Sequence, residues 1–257
     1  MPLGIGIMQV SRLVREVHAL EGASPWIAVS GPSADALATT LAARGDRGAI
    51  VVGGNPVAAA VSIRLIEGEP TPAELLVLRR LARDETPVIV VRHGGTSAIP
   101  YVLPEDVLDG GPEPDIEELA AAIARAAPHA APALAARLPL LRPAVSRRLI
   151  AVTAFANAAL AASPRLQRQQ LPVLTLAQLR MLFLLGITRG ETLPRDPQGL
   201  AVAAGPYLAV SLATGIAARA LVRQLPFGGP AVRAAVAYGS TRALGAALRR
   251  LQELESK

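Results

Sequence analysis

Apolar and polar positions along this chain follow two successive rhythms. From Trp26 onward, short apolar runs alternate with stretches of helical spacing. The runs Trp26–Val29, Ala49–Val52, Val61–Ile66, Val88–Val91 and Pro100–Leu103 read as buried strands. Between them lie helical patterns at Ala34–Ala43, with Leu37 and Leu41 inward, and at Ile116–Ala127. A third helix opens at Thr71-Pro72-Ala73-Glu74, where a hydroxyl cap, a first-turn proline and a glutamate three positions on form a start signal. Strands alternating with helices imply parallel pairing and a sheet covered on both faces. After Leu103 the strand pattern stops. Leu149–Ala162, then Leu176–Ile187 with Thr175 as cap, then Leu200–Arg250 carry helical spacing alone.

The last stretch reads as a helical hairpin with its corner at Leu225-Pro226-Phe227-Gly228-Gly229-Pro230. Small residues recur every fourth position, at Ala201, Gly205, Ala209, Ala213 and Ala217, and again at Ala231, Ala235, Gly239, Ala243 and Ala247. A ridge without bulk lets two backbones approach closely. The expected organisation is an N-terminal helix over 1–23, an α/β domain over 24–128, a Pro/Ala-rich connector over 129–148 and an all-α helical domain over 149–254. Pro128, Pro132, Pro139 and Pro143 mark the connector.

Composition sharpens this picture. The apolar fraction is 51% while aromatics are 3%, so the core must be built from Ala, Leu and Val. Without cysteine there is neither a disulfide nor a thiolate metal site, as expected of a cytoplasmic chain. His18, His93 and His129 are too far apart for a local metal motif, and no catalytic constellation is present. No secretory signal pattern is seen. Residues 1–128 carry 10 Arg against 16 Asp/Glu, and residues 129–257 carry 16 Arg/Lys against 4 Asp/Glu. The first half is therefore −6 and the second +12. The basic half suits a protein partner or an anionic membrane surface. Dispersed arginines and few aromatics argue against nucleic acid.

A glycine turn between strand and helix is where α/β proteins hold phosphate. Gly31 and Ser33 occupy that turn, but a P-loop would place glycine, lysine and hydroxyl at Ala36, Leu37 and Ala38. The single lysine is Lys257, so the charge that holds β- and γ-phosphates is missing, and no cofactor is expected. Gly94-Gly95-Thr96-Ser97 beside Arg92 could form an anion nest. An alternative reading keeps nucleotide binding, with Arg44, Arg47 or Arg92 in place of lysine.

Two resemblances add to this. Val61–Gly68, Thr71-Pro72-Ala73-Glu74 and Pro87–Val91 resemble the fourth strand, following helix and fifth strand of an Era-type GTPase domain. The guanine-reading and switch positions instead hold Arg92-His93-Gly94-Gly95 and Gly53-Gly54-Asn55-Pro56, which implies a degenerate, P-loop GTPase-like fold without nucleotide. Leu134–Pro143, Leu171–Met181 and Ala237–Gly245 resemble the YcjF-like domain of unknown function, often linked to Era-like GTPases. Ala177 stands where that pattern has Asn before Gln178. The resemblance implies an architecture and carries over no reaction.

Leu200–Ala218 is 19 residues without charge, close to a membrane span in length. Gly205, Pro206 and many alanines weaken insertion, and Arg233 and Arg242 on the next helix would each cost about 3 kcal/mol at mid-membrane. A soluble bundle with that helix at its centre is the expectation, and insertion of Leu200–Ala218 the alternative. Within the helical blocks, Gln178, Arg180, Tyr238, Ser240, Thr241 and Arg242 are the polar members, read as a partner surface or as mutual hydrogen-bond partners. The functional expectation is a non-enzymatic scaffold or regulatory protein, cytoplasmic or peripheral at the inner membrane face.

Overall fold

The structure, a computed structural model, describes residues 7–110, 114–163, 170–196, 198–199, 202, 205 and 229–255. The chain divides into two compact units: Leu20–Arg148 with Ile187–Gly190, and Met1–Ala19 with Leu149–Gly186 and Glu191–Lys257. The first is α/β and the described part of the second is helical.

In the α/β unit, β1 (Ile27–Ser30), β2 (Ile50–Val52), β3 (Val61–Glu67), β4 (Val88–His93) and β5 (Val107–Asp109) form one sheet in the order β2-β1-β3-β4-β5. Every pairing is parallel, with Ile27 level with both Ile50 and Val61, Ser62 with Val88, and Val90 with Val107. Parallel sheets are covered on both faces, so their strands are apolar almost throughout. β4 obeys this, with Val88–Arg92 all buried. The helices are α1 (Ile7–Gly22), whose last residues belong to this unit, α2 (Ala34–Leu41), α3 (Pro72–Arg83), α4 (Ile116–Ala126) and α5 (Ala131–Arg137). α3 begins as its sequence foretells: Thr71 accepts from the Glu74 N–H while the Glu74 carboxylate accepts from the Thr71 N–H. Its leucines Leu78 and Leu81 pack with Ile66, Val88, Val90 and Ile99 into one core cluster.

Two expectations are corrected here. Pro100–Leu103 forms no strand; the fifth strand is Val107–Asp109, preceded by a 3-10 turn over Pro104–Asp106. Proline cannot donate to a ladder, and Pro100 and Pro104 bracket the apolar run, whereas Val107-Leu108 is hidden between acidic neighbours. The stretch 129–148 is helical and integral to the α/β unit rather than a linker. Leu134, Leu138 and Leu141 are fully buried there. Pro132 opens α5 and Pro139 a 3-10 turn, while Pro143 stands in the first turn of α6 (Arg142–Ala162), positions where proline is tolerated. Three of the four prolines that resemble linker punctuation are therefore helix starts, and Pro128 lies in the turn between α4 and α5.

The helical unit contains most of α6, most of α7 (Gln170–Arg189), α8 (Pro230–Glu255) and the first part of α1. α6 and α7 both begin earlier than their apolar periodicity suggests, so Thr175 lies inside α7, buried, and caps nothing. Among the described residues, Ile150, Met181, Leu182, Leu185 and Leu244 form a core cluster in this unit. The close approach sits elsewhere than on the predicted ladder. On α8 the small residues Ala231, Ala235, Gly239, Ala243 and Ala247 are exposed. Gly245 makes the tight contact instead, since a Cβ there would meet the Ile150 side chain at 2.6 Å. Apart from Val202 and Gly205, the proposed partner helix Leu200–Ala218 lies outside the described residues, as does most of the corner.

Candidate functional site

The strand order reverses between β1 and β3, because α2 leads from β1 to β2 on one side and the chain then crosses back to β3 on the other. Ligands of open α/β sheets bind at that reversal, outside the carboxyl ends of the strands. Gly31, Ser33, Arg92, Gly94 and Gly95 all lie in or beside loops at that edge.

Three residues, Gly31, Pro32 and Ser33, join β1 to α2, a turn too short to wrap a triphosphate. Gly31 has φ +108°, and a Cβ on it would collide with the Leu65 carbonyl oxygen of β3, so only glycine fits. Ser33 sits at the helix cap with φ 59° and makes no side-chain cap bond. The first turn of α2 presents Asp35, exposed and negative where an anion would have to sit.

The nest predicted after β4 does hold an anion, and the anion belongs to the protein. Gly94 and Gly95 take φ +81° and +79°, turning the following N–H groups inward. The Thr96 and Ser97 N–H groups donate to Glu69 Oε1 at 3.1 and 3.4 Å, and the Ser97 hydroxyl donates to Oε2. Those donors, the Ser97 hydroxyl foremost, hold the Glu69 carboxyl below its ordinary pKa, with Arg92 adding to the effect. A Cβ on Gly95 would press on the Gly68 carbonyl oxygen at 2.7 Å, so this glycine too is dictated by close approach.

Arg92 is engaged as well. It is 6% exposed; its Nε and Nη2 donate to Asp109 Oδ1 at 2.7 Å, and its Nη1 donates to the Ser97 carbonyl oxygen at 2.5 Å. His93 places Nδ1 3.2 Å from the Gly110 carbonyl oxygen. Arg92, Gly94 and Gly95 therefore come together in one network, whose partners Glu69 and Asp109 the sequence analysis passed over. Gly31 and Ser33 form a separate turn.

Arg44 and Arg47 are placed where they cannot substitute for a lysine. α2 runs back along the sheet, about 12 Å for its eight residues, and delivers both to the amino-terminal edge. Arg47 donates to the Ile50 carbonyl oxygen there, at 3.3 Å. A cation does lie at the reversal: Arg64, which is not among the candidates read from the sequence. It is level with Ser30 in the register, half-buried, and held by no hydrogen bond among the described residues. Burial lowers its pKa and the charge of Glu74 partly offsets that. Its signal was legible: a lone arginine inside the apolar run Val61–Ile66.

A cleft of about 340 Å³ lies at the opposite edge, where Tyr101, Leu103, Pro87 and Val88 surround Arg125. That arginine is paired with Asp106 at 2.9 Å. Among the described residues no group of three or more His, Asp or Glu could hold a metal.

The polar candidates of the helical unit separate into two sets. Gln178 and Thr241 are buried with Asn157: the Asn157 and Gln178 amides donate to the Thr241 oxygen at 3.0 and 3.5 Å, and Thr241 donates to the Ala237 carbonyl oxygen. Asn157 Oδ1 is buried without a partner among the described residues. Arg180, Tyr238 and Arg242 face outward. Arg180 pairs with Glu16 at 2.5 Å, while Arg242 donates to the Tyr238 hydroxyl at 3.3 Å and lies 5.8 Å from its ring centre. Ser240 donates to the Ala237 carbonyl oxygen. Asn157, an amide alone in the uncharged run 149–163, completes the buried cluster and was not anticipated. Comparison with family models, with curated proteins and with solved structures finds no match to this chain.

Proposed function

We propose that this chain is a non-enzymatic scaffold or regulatory protein, in which a degenerate GTPase-like α/β unit is coupled to a basic, YcjF-like helical unit that makes the external contacts. The carrying observation is the Glu69 carboxylate in the nest where a phosphate would be sought. The three-residue turn at Gly31, the acidic first turn of α2 and the use of Arg92 by Asp109 support the same reading. The GTPase likeness rests on the sequence blocks and on element order, since other doubly wound folds share an equivalent strand order. The partner is another protein or an anionic membrane surface, met from the cytoplasmic side.

Trp26, the single tryptophan, immediately precedes β1 and reports on its surroundings. Titrating GTP, GDP and ATP with magnesium against its emission, alongside calorimetry, is expected to give no saturable change. Micromolar binding of any of them would overturn the proposal.

A second reading, an anion-responsive switch, is favoured by Arg64. A half-buried guanidinium at the strand reversal, without a hydrogen-bond partner among the described residues, suits an oxyanion. If nucleotide binds, Arg64→Ala must abolish it; if binding survives that change, the second reading also fails.

A further inference from the structure

α6 has two faces of different kinds. Ile150, Ala154, Asn157 and Ala161 face the interior of the helical unit. Val152, Phe155, Ala156 and Ala159 follow helical spacing on the other side, all exposed, with Val152 at 55% and Phe155 at 72%. A helix on the surface of a soluble domain turns a polar face to water. Here 149–163 contains no charge at all, and its outward stripe contains no polar side chain.

We infer that the outward face of α6 is a contact surface for an anionic lipid bilayer, on which the helix lies without crossing it. This rests on the reading of the helical unit as the part that makes external contacts, and it names the partner. Pro139–Ala162 is the one described helical stretch long and apolar enough to be considered a span, but its first turns are committed elsewhere. Arg142 donates to the carbonyl oxygens of Ala135, Ala136 and Arg189, and Arg147 pairs with Glu117 at 2.6 Å, all within the α/β unit. That leaves the 14 residues 149–162, about 21 Å of helix, against a hydrocarbon core of about 30 Å.

Charge selects the lipid. The helical unit carries 13 Arg/Lys and 5 Asp/Glu, a net +8. Apolar stripes on basic units bind anionic surfaces through partial burial plus attraction to headgroups. A second copy of the chain is disfavoured because it would bring the same +8 to the contact. Four side chains also fall short of the roughly 800 Å² per partner that a stable dimer buries.

The test uses the full chain and two sets of vesicles, phosphatidylcholine alone and phosphatidylcholine with about one-third phosphatidylglycerol. Co-sedimentation is expected with the anionic vesicles only, weakening as salt rises. Phe155→Ser should lower that affinity about tenfold with an unchanged melting temperature. Because the chain has no cysteine, Phe155→Cys offers a unique site for an environment-sensitive dye, whose emission should shift to the blue on anionic vesicles. No sedimentation with anionic vesicles, or equal binding by Phe155→Ser, would overturn the inference. So would a large fall in melting temperature of Phe155→Ser without loss of vesicle binding, which would mean that the chain's own residues cover the stripe. The nucleotide titration reads the α/β unit independently, so failure here leaves that result untouched.

Discussion

At the scale of single residues, backbone geometry and internal pairing decide what the strand edge can do. Gly31 combines φ +108° with contact against the Leu65 carbonyl, so Gly31→Ala must both strain the turn and separate β1 from β3. It is expected to cost at least about 3 kcal/mol in urea unfolding, or to prevent folding. Glu69 gives a pH signature. Its folded pKa is lowered, chiefly by the Ser97 hydroxyl, so its contribution to stability is complete above the ordinary carboxylate range and lost as pH falls through the lowered value. Glu69→Gln should therefore flatten the loss of stability below about pH 4 and leave the slope near neutrality unchanged, as read from melting temperatures across pH. Of the candidate site, the residues in the nest were legible because successive glycines before hydroxyl residues signal a turn with inward N–H groups. Glu69 was not: it reaches Ser97 across 28 positions, and nothing local marks a carboxylate that will be captured from such a distance.

Secondary-structure elements show where periodicity is informative and where it misleads. The capping box at Thr71 and Glu74 formed as read because all its interactions lie within one turn. The ladder of small residues on α8 did not mark the packing face, because alanine is abundant enough on this helix for small residues to align on more than one side. Gly245 marks it instead, pressed against Ile150 of α6. Gly245→Ala is expected to cost about 1–3 kcal/mol of stability by overpacking, whereas combining it with Ile150→Ala should cost less than the two changes summed. A double-mutant cycle in urea measures that coupling; strict additivity would show that the helices do not meet there.

For the whole molecule, the boundary between units is a packing fact that composition obscures. Prolines and alanines over 129–148 look like a connector, yet Arg137 bonds Asp46 through Nε and Nη2 and donates from Nη1 to the Pro25 carbonyl oxygen at 2.7 Å. A fragment ending at residue 128 loses this clasp along with the buried Leu134, Leu138 and Leu141. It should unfold at a markedly lower urea concentration than one ending at residue 148, with Trp26 emission as the readout. Equal midpoints would restore the connector reading.

What the sequence determined by itself is the set of local and compositional facts. Four of the five apolar runs make strands, alternation with helices makes the sheet parallel, the absence of lysine before residue 257 removes a P-loop, and the charge separates into acidic and basic portions. These depend on neighbours within a turn or on a simple count. Only the tertiary structure decided that the anion nest is filled by Glu69, that Arg92 is bound to Asp109, that Arg64 stands at the strand reversal, and that α6 leaves an apolar stripe uncovered. Each is a meeting, or a missed meeting, of groups far apart along the chain. Side-chain capture at such range depends on how the sheet brings its loops to one edge.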